Sequence, residues 1–268
     1  MANPYFTRNQ TFAAGTRGAV AQTAASDVAA LEAQYNADPA SGLDTGRMSY
    51  EGTVTKTAGL LILLGISAAL TWVLAPGLFF AGAIVGFVLA LVNIFKKRPS
   101  PGLIAMYAIA EGVFLGGLSA ILEQQAGMQG IALQALMATG ITTGVCLWLY
   151  GSGRVQVTAG FRRVLMVGMI SYALFCLVNL IVMFTGSDSA WGLRSSVELG
   201  GIKLGVIVGA VAVLLASMSL IMDFDGIKRG VERGASSIYE WAAAFGLVVT
   251  LVWLYLEFIR ILSILRDR

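Results

Sequence analysis

From Thr57 onward the chain alternates apolar blocks with short polar breaks. The blocks run over 57–75, 77–95, 102–122, 131–150, 164–184 and 202–223, with a last one inside 238–266. A helix rising 1.5 Å per residue needs ~20 residues to cross a hydrocarbon core of ~30 Å, so each block is long enough to span a bilayer. The pattern therefore predicts seven transmembrane helices. The breaks are rich in turn residues and charge: "APG", "KKRPSP", "EQQAGMQG", "GSGRVQVTAGFRR" and "TGSDSAWGLRSS". The first is so short that the first two spans must form a tight hairpin. Residues 1–53 are different, mixing Ala, Gly, Ser, Thr and Asn with scattered charge and holding no apolar run of signal-peptide length. The expected organisation is a flexible tail over 1–53, with a short helix around "SDVAALEAQY", followed by a seven-helix membrane domain over 54–268.

Composition agrees with this class. Hydrophobic residues make up 57% of the 268 and charged residues 12%, against roughly 25% charged in a soluble domain. The fold class is thus an all-α integral membrane protein whose first partner is the lipid bilayer. The net charge of +3 is small and sits in loops, so it carries orientation and is no nucleic-acid footprint; no DNA or RNA partner is expected. The chain has no histidine, which removes Ser-His and histidine-zinc chemistry. Cys146 and Cys176 lie in separate apolar blocks and read as small buried residues. No enzymatic activity and no cofactor are expected.

The basic residues set an expected orientation. Arg8, Arg17, Arg47, Lys56, Lys96, Lys97, Arg98, Arg154, Arg162, Arg163, Lys228, Arg229 and Arg233 fall on the side of the N-terminus. Arg194, Lys203, Arg260, Arg266 and Arg268 fall on the other. Thirteen against five places the N-terminus in the cytoplasm and, with seven spans, the C-terminus outside. A re-entrant last segment would instead return the basic C-terminal end to the cytoplasm.

Small residues mark the packing faces. At 100° per residue, Gly201, Gly205, Gly209, Ala212, Ala216, Ser219 and Asp223 share one stripe of the sixth span. Such stripes let helix backbones approach closely in a bilayer. Asp223 continues that inward face, whereas Asp225 points away. On the last span, Ala243, Gly246, Thr250, Trp253 and Glu257 share a face.

The acids within the spans are the candidate chemistry. A charge at the bilayer centre costs about 2.5–3.5 kcal/mol on insertion scales, so a persisting one faces protein, a partner or water. Glu257, in "TLVWLYLEFIRIL", lies on the small-residue face and is read as inward. Arg260, three positions on, is close enough to pair with it, and mutual neutralisation with the arginine snorkelling outward is the plain alternative. Glu111, in "MYAIAEGVFLGG", has no basic neighbour within a turn, so it is a possible intramembrane acid that must be protonated, hydrated or paired with another helix.

The stretches "SLIMDFDGIKRG", "GASSIYEWAAAFGLVVTLVWLYLEFIRIL", "MSYEGTVTKTAGLL" and "YAIAEGVFLGGLS" resemble the Bax inhibitor-1, or transmembrane Bax inhibitor motif, family, in its long-tailed bacterial branch. The resemblance covers residues from about 48 to 268 and is carried mainly by the C-terminal end and the seven-span layout. It implies a fold with the final helix central among the other six and a location in the cell (inner) membrane. It also implies a pH-sensitive leak of calcium ions controlled by two aspartates, one at the end of the sixth span and one in the final helix. Carried onto this chain, these positions are Asp223 and Glu257, the latter one methylene longer than aspartate.

On that reading, Asp223, Glu257 and Arg260 form the pH-sensing and ion-gating set. Gly201, Gly205, Gly209 and Gly246 pack the helices around it, and Asp223 and Glu257 are the candidate transient calcium ligands. Two close carboxylates would share a proton, and losing it would leave an oxygen-rich site for a hard cation. Helix depth decides whether they meet. A final span starting at Ile238 puts Glu257 roughly 28 Å from the inner surface, while one starting near Phe245, after an interfacial turn in "SIYEW", puts it about 18 Å in; the second register is preferred. The alternative function is a non-transporting regulatory protein that binds a membrane partner such as a membrane-bound protease through its tail.

Overall fold

The computed structural model describes residues 46–185 and 191–266. Residues 1–45 of the expected tail, with the short helix around "SDVAALEAQY", lie outside the described residues. Eight helices are described: α1 (Tyr50–Leu74), α2 (Phe79–Phe95), α3 (Pro101–Glu123), α4 (Ile131–Gly151), α5 (Ala159–Thr185), α6 (Leu193–Ser196), α7 (Leu204–Glu232) and α8 (Tyr239–Arg266). Seven of these, all but the four-residue α6 and with the second span counted from Pro76, are long and apolar enough to cross a membrane. The all-α, seven-span class is therefore the observed one.

Local chemistry explains most of the boundaries. α1 starts seven residues before its apolar block because Ser49, in extended conformation, accepts the amide of Gly52 at 3.0 Å and caps the helix. The hairpin between α1 and α2 turns through a 3-10 segment at Pro76–Leu78. α3 opens with Pro101 in its first turn, where a missing N–H costs nothing. Between α6 and α7 a two-residue hairpin pairs β1 (Glu198–Leu199) with β2 (Ile202–Lys203). Its turn is Gly200 and Gly201, with φ of 61° and 81°, the doubly left-handed geometry that favours glycine at both positions. Gly201 therefore precedes α7, and no atom outside its own neighbourhood comes within 4 Å of where its Cβ would stand. The expectation that Gly201 packs a helix is corrected: the packing stripe starts at Gly205, and Gly201 serves the turn.

α8 is a single continuous helix, not a re-entrant one. Its first turn lies beside the start of α1, where Ser49 binds Glu240. At its far end Arg266 donates to the carbonyls of Gly127 and Gln129, at 3.3 and 2.9 Å, in the α3–α4 connection. The segment "SIYEW" divides between a turn, in which Glu240 N donates to Ser237 O, and the first residues of α8.

α8 is also the centre of the bundle. It packs against α1, α3, α4 and α7 and supplies residues to all three apolar clusters. Phe245, Val248 and Val252 join α1 and α3; Leu247 and Leu254 join α4 and α7; Ile259 joins Leu122, Met128, Ile131 and Ala135. Helices approach most closely at small residues: a Cβ on Gly116 of α3 would run into the backbone of Ala68 on α1, at 2.7 Å from its carbonyl carbon. α2 and α5 are peripheral, with three buried residues on α2 (Gly82, Gly86, Leu89) and two on α5 (Leu165, Asn179).

Candidate functional site

Two of the polar contacts along α8 involve the acids singled out in the sequence, and a hydroxyl pair between Tyr255 and Ser119 of α3, at 2.6 Å, lies between them in sequence. At the first, the hydroxyl of Thr250 donates to Asp223 Oδ2 of α7 at 2.7 Å. Gly246, one turn before Thr250, borders the contact: a Cβ there would stand 3.8 Å from Asp223 Oδ1, an ordinary van der Waals distance. Asp223 thus faces α8, as its stripe implied. Asp225 turns toward α4 and α5 instead, with Tyr150 donating to its Oδ1 at 3.4 Å and Arg162 and Arg229 in ion pairs with its Oδ2 at 3.7 and 2.8 Å.

The second contact surrounds Glu257, which is 1% exposed. Arg260 pairs with its Oε1 at 2.5 Å and Arg194 with its Oε2 at 3.1 Å. The hydroxyl of Tyr172 on α5 donates to Oε1 as well. Arg194 is 3% exposed although it belongs to the four-residue α6. Its guanidinium lies over the rings of Tyr172 and Phe175, with centroids at 5.4 and 5.3 Å, and reaches Tyr172 Oη at 2.8 Å and Cys176 Sγ at 3.4 Å. Burial opposes its charge, but Glu257 and Tyr172 outweigh burial and raise its pKa above the usual arginine value. Arg260 in turn lies 5.3 Å from the ring of Trp191, whose indole N–H donates to Ser263 Oγ at 3.3 Å.

Gly205 and Gly209 make room for this arrangement. A Cβ on Gly205 would stand 2.7 Å from the Arg194 carbonyl oxygen, and one on Gly209 would stand 2.8 Å from Ile261 Cδ1 and 3.9 Å from Glu257 Oε2. Their place on the α7 stripe therefore admits α6 and α8 to the same volume.

Asp223 and Glu257 do not pair. Thr250, the α8 residue bonded to Asp223, precedes Glu257 by seven positions, about 10 Å along a helix. The carboxylates belong to separate contacts with separate partners, and what α8 presents opposite Asp223 is a hydroxyl. The expectation of a shared proton between them is corrected on this ground. The pairing of Glu257 with Arg260 is present, but Arg194 and Tyr172 join it.

Glu111 lies apart from both contacts. It is 9% exposed, sits one turn after Tyr107 on α3, and faces Gly86 of α2, whose Cβ would be 2.9 Å from Glu111 Oε1. Among the described residues no ion pair involves it.

Tyr172, Arg194 and Trp191 were not legible as site residues. Arg194 counted only as a loop charge, and a loop residue becomes a helix partner through tertiary folding that no periodicity encodes. The one available signal was a basic residue three positions after a tryptophan in a loop between two apolar blocks.

A search of curated proteins finds no match for the chain. The family model described as "Bax inhibitor 1 like" matches residues 3–267, nearly the full length. With its seven membrane-spanning helices and central α8, the chain belongs to the Bax inhibitor 1 like family.

Proposed function

We infer that this protein is a pH-sensitive leak pathway for cations, calcium among them, in a bacterial inner membrane, with the N-terminus in the cytoplasm and the C-terminus outside. The observation that carries the reading is Glu257: a carboxylate on the central helix, 1% exposed, held inside the bundle by two guanidinium groups. A carboxylate so placed is costly, and a buried ion pair is weak evidence of a purely stabilising role.

Asp223 and Glu257 then act in series and not as a pair. Around Glu257, one carboxylate and two arginines leave an excess of one positive charge, which repels a passing cation; this is the closed state. Displacing Arg194 from Glu257 would expose a hard oxygen ligand to a divalent ion. At Asp223 a proton competes with a cation for the carboxylate, since the protonated acid carries no charge to attract one. The sign follows: leak falls as pH drops through the titration of Asp223 and rises as pH increases.

The test is calcium entry into dye-loaded liposomes carrying the full chain, compared between about pH 5 and 8 with Asp223→Asn and Glu257→Gln. The expected result is a wild-type leak that rises with pH, a flattened profile for Asp223→Asn and an altered leak for Glu257→Gln. Flux identical in all three proteins at every pH, or none above empty vesicles, would overturn the reading and favour a non-transporting protein that binds a membrane partner.

A further inference from the structure

A third polar cluster lies outside the two contacts just described, where the chain enters α1. The segment before the helix is fastened to the α7–α8 turn by several independent interactions. Met48 N donates to Ala235 O at 2.6 Å and Ser237 N donates to Gly46 O at 2.9 Å, bracketing an antiparallel bridge between Arg47 and Ser236. The Met48 side chain is 6% exposed and sits over Gly230 of α7, whose Cβ would meet its Sδ at 2.7 Å.

Glu240, in the first turn of α8, completes the fastening. It is 2% exposed, and its Oε1 accepts from Ser49 N at 2.8 Å and Ser49 Oγ at 3.1 Å, while its Oε2 pairs with Lys56 of α1. Lys56 also lies 5.6 Å from the ring of Trp241 and 3.5 Å from Ser237 O. α1 leaves room for the carboxylate only because position 52 is glycine: a Cβ there would stand 2.5 Å from Glu240 Cδ.

We propose that this cluster is a strap through which the N-terminal segment sets the position of the α7–α8 hairpin, making Ser49, Lys56 and Glu240 positioning residues for the Asp223–Thr250 contact. The argument is mechanical. In a bilayer, apolar burial alone does not favour one rotation or depth of a helix over another, because lipid is as apolar as the protein; close packing at small residues and interhelical polar contacts add that preference. α8 is held by Glu240 to α1, by Thr250 to α7, by Tyr255 to Ser119 of α3, by Glu257 to α5 and α6, and by Arg266 to the α3–α4 connection. Of these, the Glu240 contact is the one joined by four residues of chain to position 45 and all that precedes it. A pull on that segment is therefore delivered to the turn joining the two helices that carry Asp223 and Glu257. The effect on leak rests on the function proposed above, whereas the strap itself does not.

The experiment separates the two. Glu240→Gln in the full chain keeps an acceptor but removes the charge pairing with Lys56, and Gly52→Ala pushes the carboxylate out without touching any charge. Arg47 and Ser236 face each other across a non-hydrogen-bonded antiparallel position, where Cα atoms stand ~4.5 Å apart, within disulfide range. Arg47→Cys with Ser236→Cys thus replaces the strap by a covalent bond. Two readouts are taken in lipid: hydrogen exchange over residues 230–250, and calcium leak against pH.

The strap predicts faster exchange and a leak changed about fivefold or more in Glu240→Gln and Gly52→Ala, with the wild-type pH profile and exchange restored by the disulfide. Unchanged exchange in both single variants would overturn the strap. So would a change in exchange that the disulfide does not reverse, or a restored exchange with leak untouched in a protein that does leak. Exchange that follows the predicted pattern in a protein showing no leak in any form would uphold the strap and refute the leak reading instead.

Discussion

Removing Arg194 tests whether the charges around Glu257 act as one unit. Glu257 has three donors, Arg194 at 3.1 Å, Arg260 at 2.5 Å and the Tyr172 hydroxyl. Arg194→Met leaves two of them, so the loss is that of one charge-assisted hydrogen bond, about 2 kcal/mol. Glu257→Gln does more damage, because it strands Arg194 at 3% exposure beside a second guanidinium; breaking a buried pair in this way costs about 3–5 kcal/mol. The double variant leaves Arg260 alone near the glutamine and should cost less than the sum by roughly 1.5–3 kcal/mol. Unfolding of the purified full chain, followed as a double-mutant cycle, measures this coupling. At about 2–4 °C per kcal/mol for a chain of this size, the Arg194→Met midpoint should fall by about 4–8 °C. Additive losses, or an Arg194→Met more damaging than Glu257→Gln, would refute the assignment of Arg194 as a partner of Glu257.

Other substitutions test the remaining parts of the account. Gly205→Ala drives a methyl toward the Arg194 carbonyl at 2.7 Å and should cost about 1–3 kcal/mol, whereas Gly201→Ala, in open space, should cost only the ~1 kcal/mol of a left-handed residue; equal losses in thermal unfolding would contradict the boundary of α7. Thr250→Val keeps shape but removes the donor to Asp223, so it should lower stability by about 1–3 kcal/mol in the wild type and by much less in Asp223→Leu, which has no acceptor for the hydroxyl. Glu111→Gln, isosteric at a site without an ion pair among the described residues, should fold with a midpoint shift of no more than ~2 °C, about 0.5 kcal/mol; a loss as large as that of Glu257→Gln would show a charged partner for Glu111.

The architecture was written plainly in the chain because a bilayer demands it: seven apolar blocks of sufficient length leave little freedom in what they become. The inward faces of α7 and α8 were legible too, since Gly205, Gly209 and Asp223, like Gly246, Thr250 and Glu257, follow the helical period. What the period cannot supply is how far one helix slides along its neighbour. Asp223 and Glu257 lie on facing stripes, yet the offset of α7 against α8 brings Thr250 to Asp223 and leaves Glu257 two turns away. Gly201 misled for a related reason, since it matches the helical phase of the stripe while the chain has not yet become helix there. Arg194 and the Ser49–Glu240 fastening join segments 63 and 191 residues apart, and only the folded bundle juxtaposes them.

Calcium entry into liposomes carrying Arg194→Met, beside wild type at one fixed pH, tests the central claim most directly. If Arg194 closes the pathway by occupying Glu257, the variant should leak about thirtyfold faster, the factor that the ~2 kcal/mol of lost pairing corresponds to. A leak equal to that of wild type, or to that of empty vesicles, would contradict the account.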